Sequence, residues 1–253
     1  MTDKGVINMV SGLSMFFMSL TIFICFLLPV ILTIYFYKKY RISIAAVFTG
    51  ALVFFVFQVI TRMPLINVLS AQPWFVRFSQ NTILYALALG LSAGLFEEIG
   101  RYLGFRLLLK KRLEWKNGIA LGIGHGGLEA ILIAGFANIN NLVFSVMINT
   151  GVFESSIAPS LPSGTAEILR SQLVNTSPYL FAVAGIERVF AMALHIAFSV
   201  IVLYGVMNNK FRYVVYAILL HALVNTPLPI LSMLGAGVWG VELYVFITAV
   251  AAF

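Results

Sequence analysis

The sequence predicts an all-α fold, a polytopic transmembrane helix bundle, and three observations lead to this fold class. The 253 residues are 61% hydrophobic and only 10% charged. Several apolar runs are long enough to cross a hydrocarbon core of roughly 30 Å. Lys and Arg flank these runs, so the net charge of +7 is an orientation signal. We therefore expect a lipid bilayer as the surroundings and no nucleic acid as a partner.

The apolar runs predict about seven spans, with seven to eight as the range. The first run lacks a basic segment before it and is too long for a cleaved signal peptide, so it should remain as a helix. The single Cys25 excludes an intramolecular disulfide. In chain order the predicted spans are residues 12–37, 43–61, 81–109, 118–150, 178–207, 212–232 and 235–253.

The run 118–150 is long for one helix and contains three glycines followed by three asparagines. It could form two helices. Two full crossings, however, would move the turn at Lys210 and Arg212 to the outside, against the positive-inside tendency. We therefore favour one broken or tilted crossing. The stretch 61–80 is predicted to lie at the outer interface, and 153–177 to form a loop.

The charge distribution predicts a multi-pass protein of the cell membrane, with its N-terminus outside and its C-terminus inside. No second domain is indicated, so residues 1–253 are expected to form one domain. In this orientation ten basic residues lie inside and four outside: Lys38, Lys39, Arg41, Arg106, Lys110, Lys111, Arg112, Lys116, Lys210 and Arg212 against Lys4, Arg62, Arg77 and Arg170.

Ionisable side chains inside the spans indicate a buried site, because such groups are costly in lipid. The chain has three histidines, and each lies within a span. Counted along the helices at about 1.5 Å per residue, Glu98, His125, Glu129, His195 and His221 fall in one layer of the inner half of the membrane, roughly 10 to 18 Å from its inner boundary. We expect these residues to converge in one cavity.

Glu97, Glu98 and Arg101 form the first motif. Arg101 is i+4 to Glu97 and i+3 to Glu98, so one carboxylate can pair with it while the other points elsewhere. A purely structural ion pair is the alternative. The second carboxylate adds desolvation and like-charge cost, which favours catalysis or ligand binding. One glutamate would be a general base that takes a proton from water.

His125 and Glu129 lie one helical turn apart, among glycines that leave room for close helix approach. His221 and Asn225 have the same spacing and could donate hydrogen bonds to a developing oxyanion, or Asn225 could orient the imidazole.

His195 stands eight residues after Glu187, which Arg188 could neutralise. For this pair a structural role remains open beside a supporting role in the site.

These motifs together resemble the YhfC family of membrane peptidases, which is grouped with the CAAX prenyl proteases and bacteriocin-processing enzymes. The resemblance covers most of the chain. It rests on Glu97-Glu98-x-x-Arg101, Gly124-His125-Gly126-Gly127-x-Glu129, Glu187-Arg188 with His195, and His221-x-x-x-Asn225.

The resemblance implies a hydrolase that cleaves a membrane-embedded or juxtamembrane protein or peptide. In the CAAX branch a glutamate activates water and a later His and Asn stabilise the tetrahedral intermediate. That branch spaces its motif E-E-x-x-x-R, whereas Arg101 comes one residue earlier. Its Phe-x-x-x-His motif is also not clean here, because Phe190 stands five residues before His195. Which histidine fills that role stays open.

Two versions of the mechanism are compatible with these residues. One uses no metal, and the CAAX relatives favour it. The other holds zinc through His125, His195 and His221, with Glu129 or a glutamate of the first motif. Two alternative functions remain: a proton-coupled transporter or channel, and a noncatalytic scaffold or immunity protein. The two halves show no inverted repeat, which argues against transport.

Overall fold

A computed structural model describes residues 9–252, so the predicted outer N-terminus with Lys4, and the last residue, lie outside the described part. Within this part the chain is helical and contains no strand. The all-α, polytopic fold class is confirmed. The helices are α1 (Gly12–Tyr40), α2 (Ile44–Ser70), α3 (Pro73–Ser79), α4 (Thr82–Leu108), α5 (Trp115–Asn149), α6 (Thr165–Asn175), α7 (Pro178–Met207), α8 (Arg212–Met233) and α9 (Gly237–Ala251).

Six of these helices are long and apolar enough to cross a membrane: α1, α2, α4, α5, α7 and α8. They match the first six predicted spans. The seventh predicted span corresponds to α9, which has only 15 residues. At about 1.5 Å per residue α9 is roughly 22 Å long, which is shorter than the hydrocarbon core.

The long run 118–150 forms one continuous helix, α5, rather than two. Its 35 residues include a π-helical segment, Ala130–Gly135, near the middle. A π-helical turn keeps the backbone hydrogen-bonded while it changes the direction of the following side chains. This explains how a helix with so many glycines and asparagines continues without a break.

The predicted end of the second span and one loop prediction were wrong in part. Helix α2 does not stop near Thr61 but continues through a π-helical segment, Phe55–Arg62, to Ser70. Pro64 sits at the start of the α-helical turns that follow, where a missing backbone N–H is tolerated. The predicted loop 153–177 contains helix α6, because Gly164, at φ +78°, turns the chain just before it.

The chain divides into two compact units, and the prediction of a single domain stays a prediction. The first unit comprises the described residues up to Phe26 together with Ala130–Arg188. Its core contains Met18, Ile148 and Phe153. The second unit comprises Leu27–Glu129 and the described residues from Val189 onward.

The second unit contains α2, α4 and α8, which pack side by side with the first half of α5 and most of α7. One end of this unit carries the turns between α1 and α2, α4 and α5, and α7 and α8. The Ser43 amide donates to Asn117 Oδ1 at 2.9 Å, and Arg112 Nη1 donates to Ser43 Oγ at 2.7 Å. Arg106 Nη1 donates to Asn209 Oδ1 at 3.3 Å. All ten basic residues that the sequence assigns to one side of the membrane belong to these turns or the helix ends beside them.

Candidate active site

Glycines set the helix spacing around the site. Gly124 lies against the backbone of α2, where an added Cβ would be 1.8 Å from the Val47 carbonyl oxygen. Gly50 makes the reciprocal contact, with an added Cβ 1.9 Å from the Leu121 carbonyl oxygen. Only glycine allows two helix backbones to come this close. His125 therefore lies on a part of α5 whose backbone is in direct contact with the backbone of α2.

Two further glycines bring the other histidines into place. An added Cβ at Gly122 would lie 2.5 Å from the Cα of Ile196, the residue after His195. An added Cβ at Gly94 would lie 2.6 Å from the Ile218 carbonyl oxygen and 3.3 Å from the Cβ of His221. The sequence thus uses small residues to bring α4, α5, α7 and α8 together at one level.

Gly124→Ala is expected to destabilise the protein by about 1–3 kcal/mol, because the new methyl group meets a backbone carbonyl that cannot turn away. Alanine in a helix interior normally stabilises relative to glycine, so the expected sign is opposite to the intrinsic preference. The thermal midpoint in detergent measures this effect. Gly118→Ala is the matched control on the same helix, since its nearest neighbour is a side-chain atom, Leu203 Cδ2 at 3.0 Å, and not a backbone carbonyl. Equal midpoints for both variants would contradict the packing described.

The first motif forms a buried ion-pair cluster. Arg101 is fully buried and its Nη1 bonds Glu98 Oε1. Its Nη2 lies 3.5 Å from Glu97 Oε2 and 2.7 Å from His195 Nδ1. One guanidinium therefore contacts both adjacent carboxylates and one imidazole. Its positive charge offsets the free-energy cost of burying two negative charges side by side.

Glu97 lies at the centre of the three histidines. Its Oε2 atom is 2.9 Å from His125 Nε2, 3.9 Å from His195 Nδ1 and 3.9 Å from His221 Nε2. The side chain is only 3% exposed. A single carboxylate oxygen thus faces nitrogen atoms from three different helices.

The remaining contacts determine which ring nitrogens carry protons. A guanidinium can only donate, so His195 Nδ1 accepts from Arg101, and His195 Nε2 lies 2.6 Å from Glu129 Oε2. An ionised Glu98 can only accept, so His221 Nδ1 donates to Glu98 Oε1 at 2.7 Å. His221 Nε2 is then the nitrogen on the side of Glu97. A carboxylate behind an imidazole fixes the ring and raises its basicity as a ligand.

Aromatic rings close the apolar side of the cluster. The Phe198 ring stacks on His221 with centroids 5.0 Å apart, and the Phe54 ring meets His125 edge-on at 5.2 Å. These contacts restrict the rotation of both imidazoles. They also surround the polar cluster with groups that exclude water.

The donor atoms fit a metal ion. Glu97, His125, Glu129 and His195 each offer one ligand atom, and these four atoms lie within 4.8 Å of one another. Three polar atoms in the cluster are buried and have no hydrogen-bond partner among the described residues: Glu98 Oε2, Arg101 Nε and His125 Nδ1. Imidazole nitrogens with carboxylate oxygens form a donor set that zinc accepts. The group contains two of the three predicted histidine ligands, and His221 lies beside it.

A family model for YhfC intramembrane metalloproteases matches residues 24–250. The chain belongs to the YhfC intramembrane metalloprotease family. It is 40% identical over 220 residues to the uncharacterized membrane protein YhfC of Bacillus subtilis (strain 168), and the match covers 87% of this chain and 85% of that protein. No solved structure matches the chain. The resemblance stated from the motifs is therefore confirmed at the level of the family, and its placement beside the CAAX proteases stays a prediction.

The structure brings most of the predicted site residues together. Seven lie in the cluster described above: Glu97, Glu98, Arg101, His125, Glu129, His195 and His221. Asn225 is half-buried, one turn along α8 from His221, and its side chain forms no hydrogen bond with the rest of the described chain. Glu187 and Arg188 belong to the first unit and bond each other. Their predicted supporting role stays a prediction.

The sequence reasoning missed two polar residues of this family member's site. Gln58 Nε2 donates to Glu97 Oε1 at 3.1 Å, and Arg62 Nη1 donates to Gln58 Oε1 at 3.2 Å. The charge distribution of the sequence assigns Arg62 to the outer flank as an orientation charge. The available signal was the pair itself: a glutamine inside an apolar run with an arginine four residues later on the same helix face.

Proposed function

We propose that this chain is an intramembrane endopeptidase that hydrolyses a peptide bond in a membrane-embedded or juxtamembrane segment of its substrate. One observation carries the proposal. Glu97 Oε2, a buried carboxylate oxygen, lies within 3.9 Å of a ring nitrogen of all three histidines. A base and several metal-ligating imidazoles at one point are the parts that metal-assisted hydrolysis needs. The family description as metalloproteases supports the metal version over the metal-free one.

The residues divide into those that hold a metal and those that move protons. His125, His195 and His221 with Glu129 would hold the ion, with zinc favoured by the donor set. When bound, this ion would act as a Lewis acid that polarises the scissile carbonyl group. Glu97 takes a proton from the attacking water as general base and delivers it to the leaving amine.

Three further residues orient the imidazole rings or stabilise negative charge in the site. Arg101 neutralises the two adjacent carboxylates and holds the ring of His195. Glu98 holds His221 through Nδ1. Asn225, one turn along α8 from His221, is proposed to donate its amide N–H groups to the oxygen that becomes negative as the tetrahedral intermediate forms.

The substrate bond is proposed to lie in the inner half of the membrane. Glu97 and the three histidines are nine to twelve residues from the basic ends of their helices, which is about 14–18 Å along the helix axis. The positive-inside tendency assigns this basic end to the cytoplasm, which places the N-terminus outside. The proposed C-terminus inside requires, in addition, that the 15-residue α9 crosses the membrane. An impermeant amine reagent tests the orientation. It is added to either face of sealed vesicles, and labelling of the lysines in the turns at this basic end is measured.

A cleavage assay tests the proposed function. The purified protein in lipid nanodiscs should cut a single-span peptide, while a variant with His125, His195 and His221 all changed to Ala should not. The same two preparations are analysed for bound transition metal, which should be present in the wild type and lost from the triple variant. Cleavage by the triple variant at the wild-type rate would rule the proposal out.

A further inference from the structure

The feature that the proposed mechanism leaves unused is a polar chain on the far side of Glu97. Arg62, Gln58 and Glu97 are linked by two hydrogen bonds of 3.2 and 3.1 Å. Gln58 is buried within an apolar helix, where an amide without a role costs free energy.

The direction of this chain follows from which groups can donate. A guanidinium has only donors and an ionised carboxylate has only acceptors. The amide of Gln58 is the one group in the chain that has both, so its oxygen accepts from Arg62 and its nitrogen donates to Glu97 Oε1. The Gln58 amide is therefore held in one orientation, and it occupies the carboxylate oxygen that does not face the histidines.

Arg62 is itself fixed to helix α4. Its Nε donates to Ser92 Oγ at 3.0 Å and its Nη2 donates to the Leu89 carbonyl oxygen at 2.9 Å. Three of its N–H groups are therefore engaged by protein atoms. This makes Arg62 an anchor for Gln58 rather than a group offered to a ligand.

The local backbone explains how one face of α2 presents both residues to α4. Gln58 and Arg62 lie in the π-helical segment Phe55–Arg62, where Thr61 Oγ1 donates to the Val56 carbonyl oxygen at 2.6 Å. Such segments are rare and occur often at functional sites. A distortion that places two polar side chains against one carboxylate is consistent with that tendency.

We infer that Gln58 is a positioning residue, which holds Glu97 so that Oε2 faces the three histidines, and that Arg62 acts through Gln58. The inference rests on the proposed function for its kinetic consequence. Its structural content is independent of catalysis: without the Gln58 amide, the Glu97 carboxylate is free to rotate about its last side-chain torsion.

Cobalt binding and kinetics of Gln58→Met test this inference. Methionine has nearly the same length as glutamine and no amide. Loss of such a group behind a site residue typically lowers metal affinity or activity about 10–100-fold. We expect a fall of this size in kcat with KM unchanged, together with a changed visible absorption spectrum of Co²⁺ added to the metal-depleted protein.

Two further variants make the test specific. Thr49→Val removes another buried polar group from α2, one that bonds only its own helix through the Ala45 carbonyl oxygen at 2.8 Å, and should leave both readouts unchanged. Arg62→Met should alter the Co²⁺ spectrum in the wild-type background but add nothing in the Gln58→Met background, because it acts through the same amide.

The measurements distinguish failure of the positioning role from failure of the proposed function. A Co²⁺ spectrum and kcat in Gln58→Met equal to those of the wild type would overturn the positioning role. An additive effect of Arg62→Met in the double variant would overturn the claim that Arg62 acts through Gln58. Absence of peptide cleavage by the wild type would instead overturn the proposed function, and the cobalt spectra would still decide the role of Gln58.

Discussion

Glu97→Gln is expected to lower the rate of peptide cleavage by about 10²–10⁴-fold, the range for loss of a general base. Glutamine has the size and shape of glutamate, so the helices can pack as before. It cannot take a proton from water, and it removes the negative charge that lies within 3.9 Å of three imidazoles. The initial rate of cleavage of a single-span peptide in nanodiscs measures the effect.

Glu114→Gln provides the control for this variant. Glu114 is exposed and pairs with Lys116 in the turn before α5, so its substitution should leave the rate unchanged. Far-ultraviolet and near-ultraviolet circular dichroism should show that both variants remain folded. Full turnover by Glu97→Gln would mean that a different group activates water, and Glu98→Gln would be the next variant to measure.

Arg101→Met is expected to destabilise the protein by about 3–5 kcal/mol, the cost of breaking a buried ion pair from one side. Methionine fills most of the volume but leaves two adjacent, buried carboxylates without their common cation. The same change removes the hydrogen bond that holds His195 Nδ1. The free energy of unfolding in mixed detergent, measured with denaturant, gives the magnitude.

A surface pair of the same chemistry is the control. Arg170 Nη1 lies 3.1 Å from Glu154 Oε1, and both side chains are substantially exposed. Arg170→Met should change stability by less than about 1 kcal/mol, as exposed ion pairs contribute little. Equal losses from the two arginine variants would show that the buried cluster is not held together by Arg101.

The fold was largely predictable because a bilayer imposes simple lengths on helices. Apolar runs of about 20 residues gave six helices at nearly the observed bounds. The errors lie where helices continue beyond the apolar run, as α2 does to Ser70, or where a weakly apolar segment such as α6 is helical. The division into two units could not be predicted, because it depends on contacts between distant parts of the chain.

The site was predictable as a set of residues, because ionisable groups in lipid are costly and few. His125, His195 and His221 had to be near carboxylates from other helices, and counting residues from the helix ends placed them at one level. The pairing within the set was not predictable. Nothing in the spacing shows that the Glu129 carboxylate lies against His195 rather than the histidine on its own helix, or that Glu98 holds His221.

Gln58 illustrates the limit most clearly. A neutral amide in an apolar helix gives no charge signal, and Arg62 has the position expected of an orientation charge. Their relation to Glu97 depends on a π-helical turn of α2, which the apolar pattern of the sequence does not predict. The contact is visible only after the helices are placed together.

Restoration of cleavage by added metal is the most direct test of the central claim, that buried glutamate and histidine side chains hold a metal and hydrolyse a peptide bond within the membrane. The protein is depleted of metal with a chelator and then titrated with Zn²⁺ while cleavage of a single-span peptide is measured. We expect no cleavage at the start and a rise that saturates near one ion per chain. Cleavage at the full rate by the metal-free protein would contradict the claim, as would a complete absence of cleavage at every ratio.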